Sequence, residues 1–180
     1  MPNEGLKDVY VEELKDLYSA ENQLVKALPK MAKAATSEEL RQEFEEHLAQ
    51  TKGQVQRLEK IFKSMHESPK GKKCVGMEGL VNEGSEVIGE DFEGAVMDAA
   101  LIGAAQRVEH YEIAAYGTAC EFAQVLGESK HASLLKQTLD EEKETDDKLT
   151  ELAKQINPQA NQESEPEDSG KRRRVSKRAA

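Results

Sequence analysis

The sequence predicts an all-α fold of four long helices, and three observations carry that expectation. Residues 6 to 156 are rich in Ala, Leu, Glu, Lys and Gln, the strong helix formers. No run alternates apolar and polar residues with the period of two that a half-buried strand requires. The 12 glycines and 5 prolines are few and gather mainly between segments. At 180 residues the chain can bury one good core but hardly two.

The first helix is expected from about Leu6 to Ala35, with Leu14, Leu17, Leu24 and Leu28 on one stripe. Pro29 lies inside it and should bend or break its last turns. Ser37 is placed to cap the second helix, and Glu38 and Glu39 suit its first turn. A stripe of Leu40, Phe44, Leu48, Val55, Leu58 and Phe62 carries that helix to about His66. Ser68, Pro69 and Gly71 then make a loop, and CVGMEGLVNEGSEVIGE reads as a short helix within a long crossover. The third long helix should run from about Asp91 to Leu126, with Gly127 ending it. The fourth should run from about Glu128 to Ile156, stopped by Asn157-Pro158.

Two antiparallel hairpins joined by one long connection make a ferritin-like four-helix bundle, whose crossover here carries the short helix. Residues 1–157 are expected to form that domain. Residues 158–180 have almost no apolar content and read as a disordered tail, acidic first and then basic.

Charge narrows the function classes. The net charge is -10, yet KRRRVSKRAA at the C-terminus holds six of the 25 basic residues; the rest of the chain carries 19 against 35 acids. A body so acidic is a poor nucleic-acid binder and suits a protein that handles cations. Three readings of the tail compete: a weak nucleic-acid or anionic-surface anchor, a partner for the acidic body, or a solvated end. The apolar runs are too short to span a bilayer, and the N-terminus lacks the pattern of a secretory signal. Cys74 and Cys120 are too few for a disulfide framework, so a reducing cytoplasm is expected.

Each long helix carries polar side chains where its stripe calls for apolar ones. They are Glu21 on the first, His47 and Gln50 on the second, Glu109 and Glu112 on the third, and Glu142 and Asp146 on the fourth. Glu109 and Glu112 are three residues apart among Ile102, Ala105, Ile113 and Tyr116, so both carboxylates share an inward face. Like charges there cost several kcal/mol each, at a rough estimate, unless something neutralises them. Carboxylates with an imidazole inside a four-helix bundle are the pattern of di-iron and di-manganese sites, where hard oxygen ligands offset two divalent ions.

The stretches DLYSAENQL, HLAQTKGQVQRLEKIF, KCVGMEGL, DAALIGAAQRVEHYEIAAYGT and TLDEEKETDDKLTELA resemble the YciF-like family of ferritin-like stress proteins over about residues 6 to 156. EHYE is similar to the paired glutamates on the third helix of rubrerythrins. Glu142 and Asp146 fall where rubrerythrins carry a Glu and a His. The second helix departs from that pattern, with His47 then Gln50 in place of Glu then His, which removes one charge from the site. The resemblance implies ferritin-like architecture and association with stress; the favoured expectation is a site for two ions of iron or manganese, or for a single ion where Gln50 weakens it, that handles peroxide or iron.

Blander readings stand beside these. Glu21 becomes a solvated residue if the register slips by one, and Glu142 and Asp146 lie in DEEKETDD, a run typical of an exposed face. Tyr18, Tyr111 and Tyr116 either support ligands or simply pack. His110 and His131 read as surface residues, and His66 suits a helix end. The competing function is a helical interaction protein that keeps the fold with a degraded metal site. A homodimer is the default assembly.

Overall fold

The computed structural model describes residues 5–163. Among them are five helices: α1 (Leu6–Ala34), α2 (Glu38–Met65), α3 (Val75–Gly89), α4 (Gly94–Val125) and α5 (Ser129–Glu163). The all-helical expectation holds, as does the place of the short helix, which is α3. Three-residue links join α1 to α2 and α4 to α5, so each pair folds back as an antiparallel hairpin. The crossover from α2 to α4 carries α3 against α1 and α4.

Local chemistry fixes the hairpin ends. Ser37 accepts a hydrogen bond from the Leu40 amide at 3.3 Å and caps α2. Buried Asp98 reaches over from α4 and accepts from the amides of Thr36 at 2.7 Å and Ser37 at 2.8 Å. That single carboxylate ties the first hairpin's turn to the second hairpin. Gly127, at φ 75°, ends α4: its amide bonds Gln124 O, and the Glu128 amide reaches back to Ala123 O. His66 closes α2 in the left-handed region, at φ 57°.

Both internal prolines depart from expectation. α1 continues past Pro29 to Ala34, and α5 does not stop at Asn157-Pro158 but runs on to Glu163. Each proline is exposed, so the carbonyl that loses its amide partner one turn back can be hydrated. The turn after Pro158 also has contacts that hold it. Ala160 packs on the core, and Glu163 Oε2 accepts from the Ala95 amide, 2.9 Å away, at the start of α4. The segment expected to be tail from 158 therefore begins inside a helix. Residues 164–180, with the basic run, lie outside the described residues.

A chain ended at Asn157 should lose about 1–2 kcal/mol, from the missing capping carboxylate and apolar contact. That corresponds to a melting temperature lower by roughly 3–6 °C for a chain of this size. An unchanged melting curve would mean that this last turn contributes nothing.

Seen from α2 and α5, the buried stripe steps four and three residues alternately. On α2 it is Leu40, Phe44, His47, Thr51, Gln54, Leu58 and Ile61; on α5 it is His131, Leu135, Thr138, Glu142, Thr145 and Leu149. This is the seam of left-handed bundle packing. The apolar core lies in two blocks. One gathers Leu24, Leu28, Leu40, Phe44, Leu101 and Leu149; the other gathers Tyr10, Leu14, Leu17, Leu58, Phe62 and Leu135. Between them the same stripes turn polar, and that layer is the candidate site.

Candidate metal centre

All four long helices contribute to the polar layer. Glu21 comes from α1, His47, Thr51 and Gln54 from α2, Glu109, Glu112 and Tyr116 from α4, and Thr138, Glu142 and Thr145 from α5; every one is buried. His47, Glu109, Glu112 and Glu142 each offer a ligand atom, and these atoms lie within 4.8 Å of one another. The His47 ring stands between two carboxylates, with Nδ1 3.4 Å from Glu109 Oε1 and Nε2 3.5 Å from Glu142 Oε2. Both separations are long for a hydrogen bond. One ring cannot bring both nitrogens to a single ion, so a cation would take one of them.

The carboxylates are held from outside the cluster. Tyr116 donates its hydroxyl hydrogen bond to Glu21 Oε1. Gln54 Nε2 donates to Glu142 Oε1 and, at 3.1 Å, to Glu141 Oε2. Arg57 grips Glu141 through two 2.6 Å bonds and reaches Thr138 at 3.1 Å. A half-buried ion pair is thus linked through one amide to the buried layer.

The remaining oxygens have no such support. Both oxygens of Glu109, both of Glu112, and Oε2 of Glu21 and of Glu142 are buried without a hydrogen-bond partner, as is His47 Nε2. Burial, followed by the charge of Glu142, pushes the Glu21 and Glu109 carboxyls well above the ordinary range. Glu112 is raised as well, by burial and then by Glu21, Glu142 and Glu109. Protonation would remove charge but leave lone pairs unmatched. A divalent cation answers both needs at once, with oxygen ligands and one imidazole of the type that iron and manganese accept. The residues present fit such an ion.

The structure sorts the seven sequence-derived ligands. It gathers His47, Glu109, Glu112 and Glu142, and sets Glu21 beside them, close enough for its charge to act on Glu112. Asp146 lies outside that group of four, though its charge acts on Glu109. Gln50 is half-buried, and its amide oxygen accepts from the Thr145 hydroxyl at 3.5 Å. Asp146 is at the rim, 3.1 Å from His110 Nε2, and accepts from Gln106. Of the three tyrosines only Tyr116 touches a site carboxylate; Tyr18 bonds Glu59 and Tyr111 bonds Asp16. His131, expected at the surface, is buried beside Tyr10, because it occupies the first stripe position of α5.

Gln54, which donates to a carboxylate of the polar layer, is a residue that sequence reasoning missed. From His47 the stripe advances four residues to Thr51 and three more to Gln54, whereas a step of three from His47 lands on Gln50 at the flank. Gln54→Leu should strip Glu142 of its donor at a cost of about 1–3 kcal/mol, while Gln50→Leu should stay within about 0.5 kcal/mol. Urea unfolding of the two metal-free variants measures the difference. Equal losses would show that the amides are interchangeable.

Comparison with known proteins now bears on this geometry. A family described as "Domain of unknown function (DUF892)" matches residues 5–162. Protein YciF of Escherichia coli (strain K12) is 52% identical over 149 residues, 82% of this chain and 90% of that protein. The chain belongs to the YciF-like family. The crystal structure of the E. coli stress protein YciF superposes with a TM-score of 0.84 at 49% identity, covering 86% of this chain and 98% of that one. YcfI from Rhodopseudomonas palustris gives a TM-score of 0.80 at 40% identity over 83% of this chain and 95% of that one. A Xanthomonas campestris protein shares the fold at a TM-score of 0.71 and 20% identity, covering 88% of this chain and 98% of its own. Among the described residues of this YciF-like chain, no helix is long and apolar enough to cross a membrane.

Proposed function

We propose that this YciF-like chain is a ferritin-like metalloprotein that binds iron or manganese in the polar layer and acts on peroxide or on iron itself under stress. One observation carries the reading: six carboxylate oxygens from Glu21, Glu109, Glu112 and Glu142 converge in the interior without a hydrogen-bond partner. Only bound cations make that arrangement stable in its charged form. The description of the E. coli relative as a stress protein supports the setting.

In this reading Glu109, Glu112, Glu142 and His47 hold the metal, and Glu21 stands ready as a further carboxylate. Bound iron or manganese would supply the electrons that peroxide or dioxygen takes up. Tyr116 keeps Glu21 oriented, and Gln54 keeps one lone pair of Glu142 turned away from the centre. The leucines and phenylalanines above and below the layer exclude water. A homodimer remains the working assembly, to be checked by light scattering.

Elemental analysis of protein grown with iron or manganese, followed by a peroxide-consumption assay, tests the proposal. At least one tightly held ion per chain is expected, with turnover. A second reading, a metal-binding helical protein without catalysis, draws on α2, which places the neutral amide Gln54 against Glu142. Stoichiometric metal without peroxide loss would select it. Absence of metal from both growths would remove both readings.

A further inference from the structure

The cavity where α1, α3 and α4 meet shares no residue with the polar layer. It measures about 170 Å³, and its walls are Leu24 and Met31 of α1, Leu80, Val81 and Ile88 of α3, and Val108 of α4. A cavity of about 150 Å³ is enough to take a benzene ring. Gly84 marks the space as one that the sequence keeps open. It is buried in the wall, it lies within α3 without a positive φ, and a Cβ built on it would meet nothing within 4 Å. Neither tight packing nor a left-handed turn requires glycine there, and a helix interior penalises it. Any larger side chain would take up part of the cavity. The mouth is basic. Lys26 and Lys30, four residues apart on α1, line it and are exposed on the same side. Among the described residues neither has an ion-pair or hydrogen-bond partner, in a chain whose acids far outnumber its bases. The cavity's other polar side chains already have partners: Gln23 Nε2 donates to Cys74 O at 3.0 Å, and Ser85 Oγ to Val81 O at 2.9 Å. The two ammoniums are therefore the groups left to meet a ligand.

We propose that this cavity binds a small amphipathic acid, its apolar body of about six to eight carbons held among α1, α3 and α4 and its carboxylate between Lys26 and Lys30. Apolar walls with a few charged groups at one end are how proteins hold and orient such molecules. Burial of the body supplies the attraction, and the lysines decide which end faces out. A longer chain would leave its extra carbons in water, so the cavity selects by length as well as by charge. The ligand would touch all three helices, which makes α3 the element that responds to it. None of this depends on the metal-centre reading above.

Calorimetric titration of the full chain with octanoate, octanol, acetate and dodecanoate tests the proposal. Octanoate should bind saturably, octanol more weakly and acetate not at all. Lys26→Gln/Lys30→Gln should weaken octanoate about fivefold for each lysine removed, the effect of one charge near 4 Å in water, and leave octanol unchanged. Gly84→Leu should abolish the binding of both and raise the melting temperature, because leucine fills the space and favours the helix. Dodecanoate should bind no more tightly than octanoate, which separates a short free acid from the acyl chain of a lipid. Absence of saturable octanoate binding overturns the proposal, as does full octanoate affinity in either variant. Dodecanoate binding far tighter than octanoate overturns it in favour of a lipid. Both lysines are exposed, so Lys26→Gln/Lys30→Gln keeps the test decisive even where Gly84→Leu fails to fold.

Discussion

Glu109→Gln combined with Glu112→Gln is expected to abolish metal retention and, at the same time, to make the metal-free protein more stable at pH 8. Both carboxylates are fully buried, and none of their four oxygens has a hydrogen-bond partner. Glutamine keeps their shape and removes the charge. Replacing buried charges by neutral groups of similar volume commonly gains about 1–4 kcal/mol. For a chain of this size each kcal/mol raises the melting temperature by roughly 2–4 °C. Residues that served only the fold would behave in the opposite way. Lower metal-free stability in the variant would identify the pair as structural and remove the centre.

The pH dependence gives the same test a second axis. The folded-state carboxyls of Glu21, Glu109 and Glu112 lie above their ordinary value of 4.5, with burial as the leading cause. Their contribution to stability is therefore complete below about pH 4.5 and is lost as pH rises through the raised folded values. Within that window each group costs about 1.4 kcal/mol per pH unit, because the unfolded chain has released a proton that the folded one keeps. The advantage of the double-glutamine variant over the metal-free parent should thus grow from pH 5 to pH 8. Urea midpoints across that range measure it. A gap that is constant with pH would mean that these two carboxyls titrate normally.

The sequence made the architecture legible because the signals were local. Ser37 at a helix start, Gly127 at a helix end and the apolar stripes of α1 and α4 require no knowledge of neighbours. What it hid depends on partners. Pro158 reads as a stop until Glu163 is seen to hold the start of α4, a contact between residues 68 positions apart. Asp98 carries no sign in the sequence that it holds the turn between α1 and α2. The site was legible as a set because all four helices break their stripe at one depth, but its edges were not. On α2 the face was read in steps of three, which chose Gln50, while the packed seam alternates four and three and chooses Gln54. On α5 the charge run hides which acids turn inward, and only the seam through Leu135 and Leu149 separates Glu142 from Asp146.

Adding Mn²⁺ or Fe²⁺ to metal-free protein should raise its stability by about 2.7 kcal/mol at a hundredfold excess over the dissociation constant. The melting temperature should rise by roughly 5–10 °C, and a chelator should reverse it. Because the ligands bind as free carboxylates, this gain should increase with pH, opposite in sign to the slope of the metal-free protein. Two opposed slopes in one molecule are hard to obtain by non-specific binding to an acidic surface, which would stabilise the glutamine variant equally. Mn²⁺ or Fe²⁺ should act more strongly than Mg²⁺ or Ca²⁺, since His47 contributes a nitrogen that the harder ions use poorly. His47→Ala should then narrow the gap between the two classes of ion while retaining part of the Mg²⁺ response. A gap that survives His47→Ala unchanged would place the selective ligand elsewhere than on α2.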